Sequence, residues 1–273
     1  MNRHRASGVI GLIGFSLGAC ALPALAQVAL TEHETRTVAI PGTSVSFDLV
    51  RVPAGTVEIE GEAVAVHAMW VLPTEVTWDL YDIYLYQLER PEAERESIGK
   101  GADAVTRPSK PYVPPDRGLG HDGYPAMGMT IHAARSFCDW LGEHTGIESR
   151  LPTKAEWVHL ASAPGGASWH KENAEFTTHP VKSLDANAYG LFDTLGNVAE
   201  WVETDEKRPV AMGGSYKQPD AECTPTSQMQ QASNWNASDP QIPKSRWWLA
   251  DCSWVGFRFV VPIEEEGADD ESE

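Results

Sequence analysis

The chain has 273 residues and a formal charge of −18. That is long enough for one large domain and too acidic for a nucleic-acid partner, because a polyanion repels phosphate backbones. Hydrophobic residues at 42% and charged residues at 22% are ordinary for a globular protein; the ten tryptophans are not, and they predict a fold pinned by large planar side chains. At the N-terminus, Arg3 and Arg5 precede an apolar stretch from Val9 to Leu22, and Ala24-Leu25-Ala26 follows as a small-x-small cleavage signal. Residues 1–26 therefore read as a signal peptide, which predicts a periplasmic or secreted protein. The stretch is short and glycine-rich for a membrane span. Leu17-Gly18-Ala19-Cys20 also resembles a lipobox, so a lipid anchor at Cys20 stands as the alternative to simple cleavage.

Residues 27–262 read as a single domain, with no fixed-period repeat and no linker. Alternating β-branched and polar residues between about 36 and 72 predict short antiparallel strands broken by Gly55 and Gly61. Thr77 is placed to cap a helix carrying Leu80, Tyr81, Tyr84, Leu85 and Leu88 at spacings of three and four. Prolines and glycines make 91–128 a long loop. Thr130 opens a second helix, with Ile131, Ala134, Phe137, Cys138 and Leu141 on its apolar face, ending at Gly142 or Gly146. Thr153 and Glu156 form a capping box that opens a third, bearing Trp157 and Leu160. Beyond Gly165 the chain is mostly loop, with late strands at Val210–Met212 and Gly256–Val261. Residues 263–273 hold seven acids between Glu264 and Glu273 and form an acidic tail that cannot bury apolar area, hence a disordered one. The class is α+β with low regular content.

Export puts the remaining cysteines where disulfides form. Cys223 and Cys252, both in the irregular C-terminal part, are the expected pair, although spacing alone does not fix connectivity. Cys138 lies on a helix face and reads as a buried free thiol.

Several segments together resemble one family. Arg150-Leu151-Pro152-Thr153-Lys154-Ala155-Glu156-Trp157 is similar to the RLPTEAEWE segment of the formylglycine-generating enzymes, the sulfatase-modifying factors. Asn187-Ala188-Tyr189-Gly190-Leu191-Phe192-Asp193 and Gly196-Asn197-Val198-Ala199-Glu200-Trp201 resemble its N-x-YGLYD and GNVWEW segments. Gly213-Gly214-Ser215-Tyr216 resembles its GGSY turn, Gly256-Phe257-Arg258 its closing GFR, and Glu75-Val76-Thr77 its early EVT. The matches keep the family's order over roughly 45–262, and the resemblance implies a C-type-lectin-like fold.

It also implies two sites. One is a structural Ca²⁺ held by Asp193, the carbonyls of Gly196 and Val198, and Glu200, a set of hard oxygens. The other reading of the same residues is architectural, with Asp193 bracing a turn and Glu200 paired to an arginine. The second site is the family's Cu(I) clamp, two cysteines five residues apart after GGSY. Here those positions are Gln218 and Cys223, next to Ser215. Soft thiolates suit Cu(I) and an amide oxygen does not, so copper binding and formylglycine-generating activity are expected to be absent or very weak. The resemblance implies that the loop after GGSY helps wall a substrate groove, which makes Tyr216, Arg246 and Trp247 groove candidates with Trp248 and Trp254 beside them; the alternative is that the indoles pack inward and pin the loop, the preferred reading for Trp248. The preferred function is an exported accessory or maturation factor that binds a peptide or protein. An oxidoreductase acting on a secreted protein or peptide-derived metabolite, and a carbohydrate-binding module, are the alternatives; fold alone does not choose among them.

Overall fold

The computed structural model describes residues 33–95 and 114–263; the signal peptide, Cys20 and the acidic run from Glu264 lie outside the described residues. The alternating N-terminal pattern forms β1 (Thr35–Ala39), β2 (Ser46–Val52), β3 (Gly55–Ile59), β4 (Glu62–Val66) and β5 (Met69–Val71). β3 and β4 make a separate hairpin whose two-residue turn, Glu60-Gly61, takes positive φ at both positions (55° and 87°), the conformation that matches strand twist.

Three helices follow: α1 (Trp78–Tyr86), α2 (Ile131–Thr145) and α3 (Lys154–Ala161). Thr77 precedes α1 as expected but makes no side-chain cap, and the helix stops at Gln87, leaving Leu88 exposed beyond it. Thr130 does cap α2, accepting from the Ala133 amide at 3.2 Å, and α2 ends on Gly146 in a left-handed conformation. At α3 both halves of the capping box are made: Thr153 Oγ1 accepts from the Glu156 amide, and the Glu156 carboxylate accepts from the Thr153 amide at 2.7 Å. Arg150 then clamps the same carboxylate through two bonds of 2.7 Å. Replacing Thr153 with Ala is expected to lower unfolding free energy by about 1 kcal/mol. Urea denaturation checks this, and an unchanged midpoint would mean that Arg150 alone positions the helix start.

The C-terminal half holds β6 (Ala199–Val202), β7 (Val210–Met212), β8 (Gln228–Gln230), β9 (Val255–Gly256) and β10 (Val260–Pro262). One sheet runs β1-β2-β5-β10 and a second runs β8-β7-β6-β9, with β6 and β9 parallel. The single late strand expected at 256–261 is thus two strands in different sheets. The chain crosses between them over Phe257, Arg258 and Phe259, all fully buried. Phe257 and Phe259 complete an aromatic core with Trp78, Tyr81 and Phe137: Tyr81 and Phe137 stack at 5.6 Å, and Phe137 meets Phe257 edge-on at 5.4 Å. Arg258, between two core phenylalanines, has to find its partners inside the protein. No described helix is long and apolar enough to cross a membrane.

Candidate functional site

Arg258 is fully buried and meets Glu200, on β6, which is 1% exposed. Its Nε and a terminal nitrogen reach the Glu200 carboxylate at 2.7 Å each, and the remaining donors go to the carbonyls of Leu72 (3.2 Å) and Phe192 (2.8 Å). Trp157 Nε1, from α3, donates to Glu200 Oε2 at 2.9 Å. The Arg258 fork therefore ties β6, the segment after β5 and the Asp193 segment together, and Trp157 joins α3 to the same carboxylate.

Two further carboxylates surround this pair. Glu75 is fully buried; one oxygen accepts from the Val198 amide at 3.4 Å and the other has no donor. Asp193, 3% exposed, accepts from the Lys182 amide at 3.0 Å through Oδ2, and its Oδ1 has no donor. Burial, reinforced by the charges of Asp193 and Glu200, pushes the Glu75 carboxyl well above the usual carboxylate range. Burial likewise raises Asp193 to about 6, against the pull of its backbone hydrogen bond. Burial works against the Arg258 charge, but the charge and hydrogen bonds of Glu200, with the charges of Glu75 and Asp193, together outweigh it and raise its pKa. Sequence reading had placed Glu75 only as a motif position; that it is buried beside an arginine is a tertiary fact.

The turn between Asp193 and Glu200 is locked by geometry. Gly196 takes φ 75°, and a Cβ there would lie 2.2 Å from the Trp169 carbonyl oxygen. Asn197, at φ 45° and fully buried, pairs with the backbone of His179 through both its amide atoms. Asp193 thus braces a turn and Glu200 pairs with an arginine, which is the architectural reading of these residues. The Ca²⁺ set of Asp193, Gly196, Val198 and Glu200 does not fit, because both Glu200 oxygens are already taken by Arg258 and Trp157.

The positions of the copper clamp are equally specific. Ser215 Oγ donates to Gln218 Oε1 at 2.5 Å and accepts from the Lys217 amide at 3.2 Å. Gln218 Nε2 faces Met229 Sδ at 3.5 Å, so the amide is held at both ends. Cys223 is buried, its thiol 3.8 Å from the Ser215 carbonyl; burial, with the charge of Asp220 second, pushes it up to about 11. A protonated thiol beside a carboxamide is not a two-sulfur clamp. Gly214, at φ 72°, is needed here, since a Cβ would come within 2.8 Å of Cys223 Sγ. A polar cavity of about 380 Å³ opens beside Cys223, lined also by His170, Asn173, Asp193, Thr194 and Asp220.

The expected Cys223–Cys252 disulfide is not formed: both are free and buried, as is Cys138. Their surroundings differ. Cys223 sits under Gly214 and Ser215, whereas Cys252 lies among Arg117, Lys217 and the amides of Trp254 and Val255, and its thiol is pushed up to about 12 mainly by burial. The groove candidates separate too. Trp247 packs on His132 with ring centres 4.8 Å apart, and Arg246 reaches His132 Nε2 at 3.2 Å. Tyr216 is buried and bonds instead to Ser253. Trp248 packs inward, stacked on Trp78 at 6.4 Å.

An antiparallel sheet and a mixed one, loops locked by indoles and a buried Arg–Glu fork at the GNV turn define a formylglycine-generating-enzyme-type domain of the α+β class. The sulfatase-modifying factor enzyme 1-like domain matches residues 25–261, and the chain belongs to that family. The formylglycine-generating enzyme of Streptomyces coelicolor is 30% identical over 108 residues, covering 30% of this chain and 32% of that protein. The serine/threonine-protein kinase pkn1 of Chlamydia caviae is 39% identical over 95 residues, 31% of this chain and 14% of the kinase. The inactive C-alpha-formylglycine-generating enzyme 2 of Bos taurus is 28% identical over 122 residues, 34% of this chain and 38% of that protein. The alignments thus span a third or so of the two formylglycine-generating-enzyme relatives and a smaller part of the kinase. Among solved structures, Treponema denticola variable protein 1 superposes with a TM-score of 0.59 at 19% identity, covering 83% of this chain and 98% of that one; at that identity the likeness is one of fold.

Proposed function

We propose that this protein is an exported member of the family that binds a peptide or protein segment as an accessory or maturation factor and does not oxidise cysteine to formylglycine. The observation that carries the reading is Gln218, whose amide stands at the first thiolate position and is tied down by Ser215 and Met229. Two-coordinate Cu(I) needs two soft thiolates, and only Cys223 is there to supply one. A family relative named as inactive, from Bos taurus, supports the reading that the domain is kept without the oxidation.

Purified protein incubated with copper, oxygen and a CxPxR peptide is expected to yield no aldehyde by mass spectrometry. Gln218→Cys is expected to take up copper toward one equivalent while the wild type takes up none, because the substitution completes the five-residue pair. Aldehyde formed by the wild type overturns the reading. Titration calorimetry with the same peptide tests binding separately.

A further inference from the structure

Outside the clamp, three chemically complementary groups meet that sequence reading did not connect. Ser253, half-buried in the segment before β9, receives Lys217 Nζ on its Oγ at 3.0 Å, and the same Oγ lies 3.1 Å from the Tyr216 hydroxyl. Lys217 is an exposed residue whose nitrogen lies 4.4 Å over the Trp254 ring and 5.4 Å from the Tyr216 ring. Among the described residues no carboxylate forms an ion pair with it, in a chain of net charge −18. Trp254, next to Ser253, carries an indole N–H that is buried without an acceptor. A hydroxyl, an amine and a phenol in contact are the parts of a serine–lysine acyl-transfer site.

We propose that Ser253 is a nucleophile for esters or activated amides, with Lys217 as its general base and Tyr216 orienting the hydroxyl. Neutral Lys217 takes the proton from Ser253 Oγ as that oxygen attacks the carbonyl carbon. The tetrahedral adduct collapses, the bond to the leaving alkoxide or amine breaks, and the leaving group takes the proton back from Lys217. Water, deprotonated by Lys217, then hydrolyses the acyl-serine, releasing the acid and restoring both side chains. The groups facing Lys217 support the role: burial lowers its pKa and Arg117 lowers it further, against the opposing influence of Cys252. This site does not rest on the peptide-binding reading, and it uses none of the clamp positions Gln218 and Cys223.

The test is p-nitrophenyl acetate on the full-length protein, with nitrophenolate release followed by stopped flow and the acetylated residue located by peptide mass spectrometry. A burst with the acetyl group on Ser253 is expected, absent in Ser253→Ala. In Lys217→Met, which keeps an apolar stem on Trp254, acylation is expected to slow by roughly 10²-fold. Melting curves of both variants control for folding, and Lys217→Arg supplies a second variant that keeps the charge but cannot act as the base. The proposal is overturned if the folded wild type carries no acetyl on Ser253, if the acetyl group sits on Lys217 instead, or if either lysine variant acylates Ser253 as fast as the wild type.

Discussion

Replacing Arg258 with methionine is expected to be among the most damaging single substitutions in the chain. Glu75, Asp193 and Glu200 would be left buried with no cation among them, and the carbonyls of Leu72 and Phe192 would lose their donors. Removing one partner of a buried pair costs about 3–5 kcal/mol, because the remaining charge is uncompensated. For a domain of this size that is a fall of roughly 6–20 °C in melting temperature. Arg258→Lys should recover only part of this, since a point charge cannot replace a fork that meets a carboxylate and two carbonyls at once. Urea unfolding of the three proteins checks the order. A methionine variant within about 1 kcal/mol of the wild type would mean that the three acids are neutral in the folded state and need no cation.

The second large effect is a pH dependence at Asp193. Its carboxyl is raised to about 6 in the folded state, against an ordinary value near 3.9 in an unfolded chain. The folded protein therefore holds the proton more tightly than the unfolded one. The resulting stabilisation is fully present below about pH 4 and is lost as pH rises through 6. Between pH 4.5 and 7.5 this contributes a loss of about 2 kcal/mol. Glu75 shifts in the same direction. Asp193→Asn keeps an acceptor for the Lys182 amide and cannot titrate, so its unfolding free energy should gain on the wild type by about that amount over the interval. Parallel profiles for the two proteins would sink the idea. The same measurement addresses calcium: a bound divalent cation would favour the ionised carboxylate and reverse the sign, so the profiles are to be taken with EDTA and with added Ca²⁺. The geometry at Glu200 predicts no Ca²⁺-dependent rise.

Much of the architecture was legible because its signals are local. The capping box at Thr153 and Glu156 needs only residues three apart, and α2 could be read from Thr130 through Leu141 because its apolar face repeats at helical spacing. The GNV and GGSY turns were marked by glycine and asparagine, residues that left-handed backbone favours. β6 was missed, since its Ala-Glu-Trp-Val is buried on both faces and shows no alternation. The division of 256–261 between two sheets was missed because a short apolar run carries no sign of which neighbours it will pair with.

The sequence by itself determined the family and the α+β class, each a matter of which residue occupies which position in an ordered set. Only the tertiary structure decided that Glu200 belongs to Arg258, that Cys223 and Cys252 stay apart as free thiols, and that Lys217 rests on Ser253. Each of those pairs lies 29 to 58 residues apart in the chain. Which buried charge, thiol or amine meets which partner is fixed by how the sheets and loops pack, and no local spacing encodes it.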